Sequence, residues 1–144
     1  MSSIDRARAW AARDPDPETQ AELAALIARA AGGDAAAAAD LDERMTGRLE
    51  FGTAGIRGVL AAGPQRMNQL QVREVTAGLA AHLVAAVPDA PARGVVVGHD
   101  ARRKSRQFAA NRVSQPGSRV RRQRRLRSLH RLRSARGPSS RGAA

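Results

Sequence analysis

The residues best suited to chemistry are 51–58, Phe-Gly-Thr-Ala-Gly-Ile-Arg-Gly. Gly52, Gly55 and Gly58 free the backbone for tight turns and close approach to a ligand. Thr53 adds a hydroxyl, and Arg57 a planar guanidinium fork that matches a phosphate. Together they can form an anion-binding loop. Taken alone, the glycine pattern reads first as a structural turn and second as a phosphate site. A second cluster lies at 98–105, Gly-His-Asp-Ala-Arg-Arg-Lys-Ser. There Asp100 can bond to loop amides or pair with Arg102, and Ser105 can cap a following helix, so the first reading is structural. His99, His82 and His130 have no spacing that points to a metal or acid–base role.

The elements that must position these groups follow from local signals. Asp16 is a good helix N-cap, Pro17 suits the first helical position and Glu18 favours the positive end of the dipole. Leu23, Leu26 and Ile27 supply an apolar face, and Gly32-Gly33 ends the helix. Asp34 can start a second helix, with Leu41 and Met45 four apart. Residues 1–48 therefore read as a helical extension that packs on the domain after it. Leu49 to Phe51 reads as a short strand into the glycine-rich turn. Asn68 starts a further helix, with Gln71 placed to complete a capping box. Val72, Val75, Leu79, Leu83 and Val87 give that helix one buried stripe, and Pro88 and Pro91 end it. Gly94-Val-Val-Val-Gly98 reads as a strand buried on both faces. The alternation makes residues 49–110 an α/β layered domain.

Charge divides the chain at one point. Residues 1–110 carry 14 basic and 13 acidic side chains, whereas 111–144 carry 11 arginines and no acid. Little apolar area and strong self-repulsion predict disorder for 111–144. The basic residues are all Arg except Lys104, which suggests a GC-rich gene. Such a gene read one base off yields Arg, Ser, Pro, Gly and Ala, so a shifted frame is the favoured reading of the tail. The alternative is a nucleic-acid or anionic-surface binder. Its arginines would bind phosphates non-specifically, because the tail has no aromatic residue for base stacking. The absence of cysteine excludes disulfides and thiolate metal sites. No stretch approaches the roughly 20 apolar residues of a membrane span, and no signal-peptide core opens the chain, so a cytoplasmic protein without a membrane partner is expected.

The phrase Leu-Glu-Phe-Gly-Thr-Ala-Gly-Ile-Arg-Gly, followed by Arg66-Met67-Asn68, resembles the α-D-phosphohexomutases, in particular the phosphoglucomutase and phosphopentomutase-like subgroup. That subgroup carries a helical extension before the motif, with a Trp near its start as at Trp10. Residues 98–105 resemble the family's G-x-D-x-R-x-x-S stretch, with Asp100, Arg102 and Ser105 at the matched positions. The resemblance implies an incomplete three-layer α/β/α first domain preceded by the helical extension and followed by the basic tail. It places Arg57 beside the active-site phosphate, with Thr53, Ala54 and Gly55 in the active-site loop, and implies a phosphosugar partner. The family's reaction is an intramolecular phosphate transfer through a phosphoserine and a bisphosphorylated sugar. Its Thr-Ala-Ser-His-Asn-Pro serine motif and its Asp-Gly-Asp-x-Asp-Arg loop for magnesium (Mg2+) do not occur in the chain. Neither a catalytic residue nor a metal ligand is thus expected here. The expectation is a truncated phosphohexomutase, inactive alone and marginally stable because a sheet without its later strands leaves apolar faces open. The encoding DNA, resequenced from codon 100 and translated in three frames, is expected to show the serine and metal motifs in a neighbouring frame. Their absence from all frames would instead favour a selected role for the tail.

Overall fold

The computed structural model describes residues 1–110; the readings of 111–144 as a disordered, frameshifted or nucleic-acid-binding tail lie outside the described residues. Three helices open the chain. The first, α1 (Ser3–Ala11), starts at a capping box in which Ser2 and Asp5 satisfy each other's backbone amides. Helix α2 (Pro17–Ala31) is capped by Asp16, whose Oδ1 accepts from the Glu18 amide at 3.1 Å. Helix α3 (Ala35–Met45) is capped by Asp34, which accepts from the Ala37 amide at 3.0 Å. Both caps fall where the sequence reading puts them, whereas the bounds of α1 were not among its signals.

The three helices pack on one another around Ala7, Trp10, Leu23, Leu26, Ala37, Leu41 and Met45. Leu23 and Leu41 are fully buried, and each burial contributes roughly 1.5–3 kcal/mol. Ala62 and Leu70, from beyond the helices, complete this core. The glycine-rich motif becomes a hairpin in which β1 (Phe51–Gly52) and β2 (Gly55–Ile56) pair antiparallel, Phe51 opposite Ile56 and Gly52 opposite Gly55. The strand expected at Leu49 to Phe51 is thus displaced to 51–52, because the partner strand lies inside the motif itself.

Residues 57–67 return to the helical unit. The Met67 amide donates to Val59 O at 2.8 Å and the Gln65 amide to Arg44 O at 3.2 Å. Gly63 takes φ +111, and a Cβ there would lie 2.9 Å from Met45 Cε and 3.1 Å from Arg44 Cβ. Only glycine satisfies both that backbone and that contact. Asn68 then opens α4 (Gln69–Ala86). Its Oδ1 accepts from the Gln71 amide at 2.9 Å, while its Nδ2 donates to Ala61 O, Gly63 O and Arg66 O at 3.0, 2.7 and 3.2 Å. Half of the expected capping box forms; Gln71 Oε1 is buried without a partner among the described residues.

Three expectations change. The apolar stripe of α4 is not buried: Leu79 is 52% exposed, and Val72, Val75, Leu83 and Val87 are half-buried. Pro91 does not end a helix but sits in the first turn of α5 (Ala90–Arg93), where its missing N–H costs nothing. The 94–98 run forms no ladder with another described strand, and Val96 is 73% exposed. An extended segment is buried on both faces only when layers cover it. The α/β class holds, the described residues being mostly helical with one two-stranded sheet, and α6 (Ser105–Ala110) closes the described chain.

Replacing Asn68 by Ala should destabilise the chain by about 2–4 kcal/mol, the sum of a lost cap and of carbonyls left without a donor. Asn68→Asp keeps the capping oxygen but turns a carboxylate oxygen toward three carbonyls, and should cost as much. Urea unfolding followed by circular dichroism measures both; a loss below about 1 kcal/mol in each would show that the carboxamide is dispensable.

Candidate functional site

The hairpin places four predicted site residues together. Thr53 and Ala54 form its two-residue tip, Gly55 opens the return strand at φ +91, and Arg57 follows β2. Thr53, Ala54 and Arg57 are exposed and Gly55 is half-buried. Among the described residues the Arg57 guanidinium makes no ion pair, so its charge faces solvent. The base of the hairpin is held from both sides. Leu49 N–H donates to Pro64 O at 3.2 Å, and Gly58 lets the Leu49 side chain approach, since a Cβ there would lie 2.9 Å from both Leu49 methyl groups. An exposed tip with a firm base is an arrangement able to receive an anion. Phe51 and Val59 beside it are 69% and 70% exposed, an apolar flank to the polar tip.

The second cluster forms its own closed turn. The Asp100 carboxylate accepts from the Arg102 amide at 3.0 Å and pairs with Arg102 Nε at 3.3 Å. The Asp100 amide donates to Ser105 Oγ at 3.1 Å. The Asp100 carboxylate thus holds both the amide and the guanidinium of Arg102. Ser105 differs: it is the first residue of α6, and its hydroxyl reaches back to Asp100 instead of capping the helix ahead. The Arg102 amide first, then the Ser105 hydroxyl and the Arg102 charge, hold the Asp100 carboxyl below its ordinary 3.8. No hydrogen bond or ion pair among the described residues joins Asp100, Arg102 or Ser105 to the hairpin residues.

Sequence reasoning missed the anchor of this turn. Lys104 Nζ lies 3.1 Å from Asp16 Oδ2 and 2.9 Å from Glu18 Oε2, across 88 positions of sequence in the first case. Arg103 reaches Glu18 at 3.4 Å. A cleft of about 300 Å3 runs between α2, residues 60–67 and Arg103-Lys104. No local pattern announces such a contact; the one signal was that Lys104 is the sole lysine.

Comparisons with known proteins agree on one family. The description "Phosphoglucomutase/phosphomannomutase, alpha/beta/alpha domain I" matches residues 48–114, which contain both clusters. Residues 48–114 belong to the phosphohexomutase superfamily. The "Probable phosphoribomutase" of Schizosaccharomyces pombe is 41% identical over 100 residues, covering 69% of this chain and 16% of that protein. The phosphopentomutase of Mus musculus is 38% identical over 93 residues, covering 65% and 14%. The glucose 1,6-bisphosphate synthase of Homo sapiens is 32% identical over 93 residues, with the same coverage. The chain thus spans about one sixth of the length of the curated relatives it matches. No solved structure matches it significantly.

The phosphohexomutase match ends four residues past the point where the chain turns arginine-rich. Among the described residues no group of three or more His, Asp or Glu side chains is placed to hold a metal ion. No described helix is long and apolar enough to cross a membrane.

Acid should open the second cluster. Burial pushes Asp16 up, but hydrogen bonds from Lys104 and the Glu18 amide outweigh it and leave Asp16, like Asp100, below 3.8. A carboxyl depressed in the folded state stabilises it above the unfolded value and loses that contribution as pH falls through the folded one. The Arg102 and Ser105 amide resonances are therefore expected to stay constant through neutral pH and to move together in acid, with a midpoint below 3.8. Movement near neutral pH would assign the turn to another titrating group.

Proposed function

We propose that residues 48–114 form a phosphosugar-binding part of a cytoplasmic intramolecular phosphotransferase of the phosphohexomutase type. The exposed hairpin carries this reading, because Thr53 stands at its tip, Gly55 takes a positive φ next to it, and Arg57, which makes no ion pair among the described residues, follows directly after β2. Arg57 would hold a phosphate through two parallel N–H···O bonds, and the tip amides and the Thr53 hydroxyl would add donors. Relatives named as phosphoribomutase, phosphopentomutase and glucose 1,6-bisphosphate synthase point to pentose and hexose phosphates as the ligand class. The nucleophile that would carry the phosphoryl group, and the acids that would hold magnesium, have no counterpart in this chain. Phosphoryl transfer needs both an acceptor and charge stabilisation around it. The chain alone therefore binds a phosphosugar weakly and moves no phosphate.

A second reading rests on the 11 arginines and missing acids of 111–144, which favour non-specific binding of nucleic acid with a steep salt dependence.

Titration of the chain with ribose 5-phosphate and glucose 1-phosphate, followed by amide resonances, distinguishes these. Shifts should concentrate at 53–58, Arg57→Ala should weaken binding at least ~10-fold, and Arg57→Lys should recover only part of it, since an ammonium lacks the planar fork. Shifts confined to 111–144, unchanged in Arg57→Ala, would reject the hairpin as the site.

A further inference from the structure

Lys104 combines two features that are unfavourable alone. Its side chain is only 12% exposed, although it carries a charge. Its backbone sits at φ +62, the left-handed region that a lysine seldom takes. In that conformation its carbonyl accepts the Phe108 amide at 2.9 Å and starts α6. Both features are offset by acids of the N-terminal helical unit. Asp16, whose side chain is 5% exposed, and Glu18 bracket the ammonium. Gln107 donates to the same Asp16 oxygen at 3.4 Å, and the Asp16 amide donates to Asp14 Oδ1 at 3.0 Å. Arg103 is the other cation at the cluster, and it pairs with Glu18.

A strained residue persists where its surroundings over-determine it. The surroundings here are two acids from α2 and its cap, at the far end of the described chain. We propose that Lys104 is a positioning residue: a charge clasp through which the N-terminal helical unit sets the place of the 98–105 turn, and with it Asp100 and Arg102. The helical unit then has a task beyond covering apolar surface. The ammonium reaches Asp16 while the Asp16 second oxygen remains on the Glu18 amide, so one carboxylate both caps α2 and holds the turn. A partly buried pair of this kind depends on both members, because removing either leaves the other desolvated without compensation. The proposal is independent of phosphosugar binding at the hairpin.

Hydrogen exchange on the full 144-residue chain tests it at the Arg102, Ser105 and Phe108 amides, with α1–α3 as the internal reference. Lys104→Asn keeps a residue that tolerates the left-handed conformation but cannot reach Asp16. Lys104→Arg keeps the charge. Asp16→Asn keeps a good N-cap for α2 and removes the carboxylate charge. The three turn amides should exchange at least ~10-fold faster in Lys104→Asn and Asp16→Asn, and within ~3-fold of the parent in Lys104→Arg, while α1–α3 amides stay unchanged in all three. The proposal is overturned if Lys104→Asn leaves the turn as protected as before, or if Lys104→Arg loosens it as much as Asn does. It is equally overturned if α1–α3 lose protection together with the turn, which would make the cluster a general prop of the fold.

Discussion

The carboxamide of Asn68 is the contact on which the described structure depends. It is fully buried, and both ends of the amide are engaged, the oxygen by one backbone amide and the nitrogen by three backbone carbonyls. Its oxygen starts α4, and its nitrogen gathers three carbonyls of the loop that precedes that helix. That loop is in turn fixed to the helical unit, by Gln65 on the Arg44 carbonyl and by Ala62, whose amide donates to Glu22 Oε2 at 3.0 Å. The glycine-rich hairpin hangs from the same loop through Leu49 and Val59. A neutral amide can serve both roles because it donates and accepts from one planar group; an acid or an aliphatic side chain can do only one or neither.

Charges refine this arrangement more than they create it. Arg44 is largely buried and lies between Asp40 at 2.8 Å and Glu22 at 2.5 Å, so it links α3 to α2 at the point where Glu22 also receives the loop amide. Burial alone would lower the basicity of Arg44, yet the hydrogen bonds it donates to Asp40 and Glu22 raise it, so this guanidinium stays charged. Pairs such as Arg6 with Asp42 or Arg29 with Asp34 lie at the surface, where solvent screening leaves them little net effect. The contrast separates the few ion pairs that locate elements from the many that decorate them.

Apolar surface tells the opposite story about the second half of the described chain. The N-terminal unit has a closed core, whereas Leu79, Val84 and Val95 to Val97 remain exposed. Helical periodicity marks which side of α4 is apolar, and a valine run marks an extended segment. Neither pattern says whether a covering layer is present, because burial depends on other parts of the fold.

Local capping chemistry was readable from the amino-acid sequence alone. Asp16, Asp34 and Asn68 each stand before an apolar-periodic run, and a side-chain oxygen two or three positions from an orphan amide needs no tertiary help. The grouping of Thr53, Ala54, Gly55 and Arg57 was equally legible, since eight contiguous residues cannot be far apart. The hairpin within that motif was not, because it rests on a pairing between its own glycines that a loop could equally have lacked. Nor was the fit of Gly63 against Met45, or the reach of Lys104 to Asp16, since both join segments that sequence order separates. Sequence determines the groups each segment offers within a turn or two of itself. Which distant groups meet, and which apolar faces are covered, is decided only when packing brings those segments together, because burial and charge pairing are properties of neighbours in space.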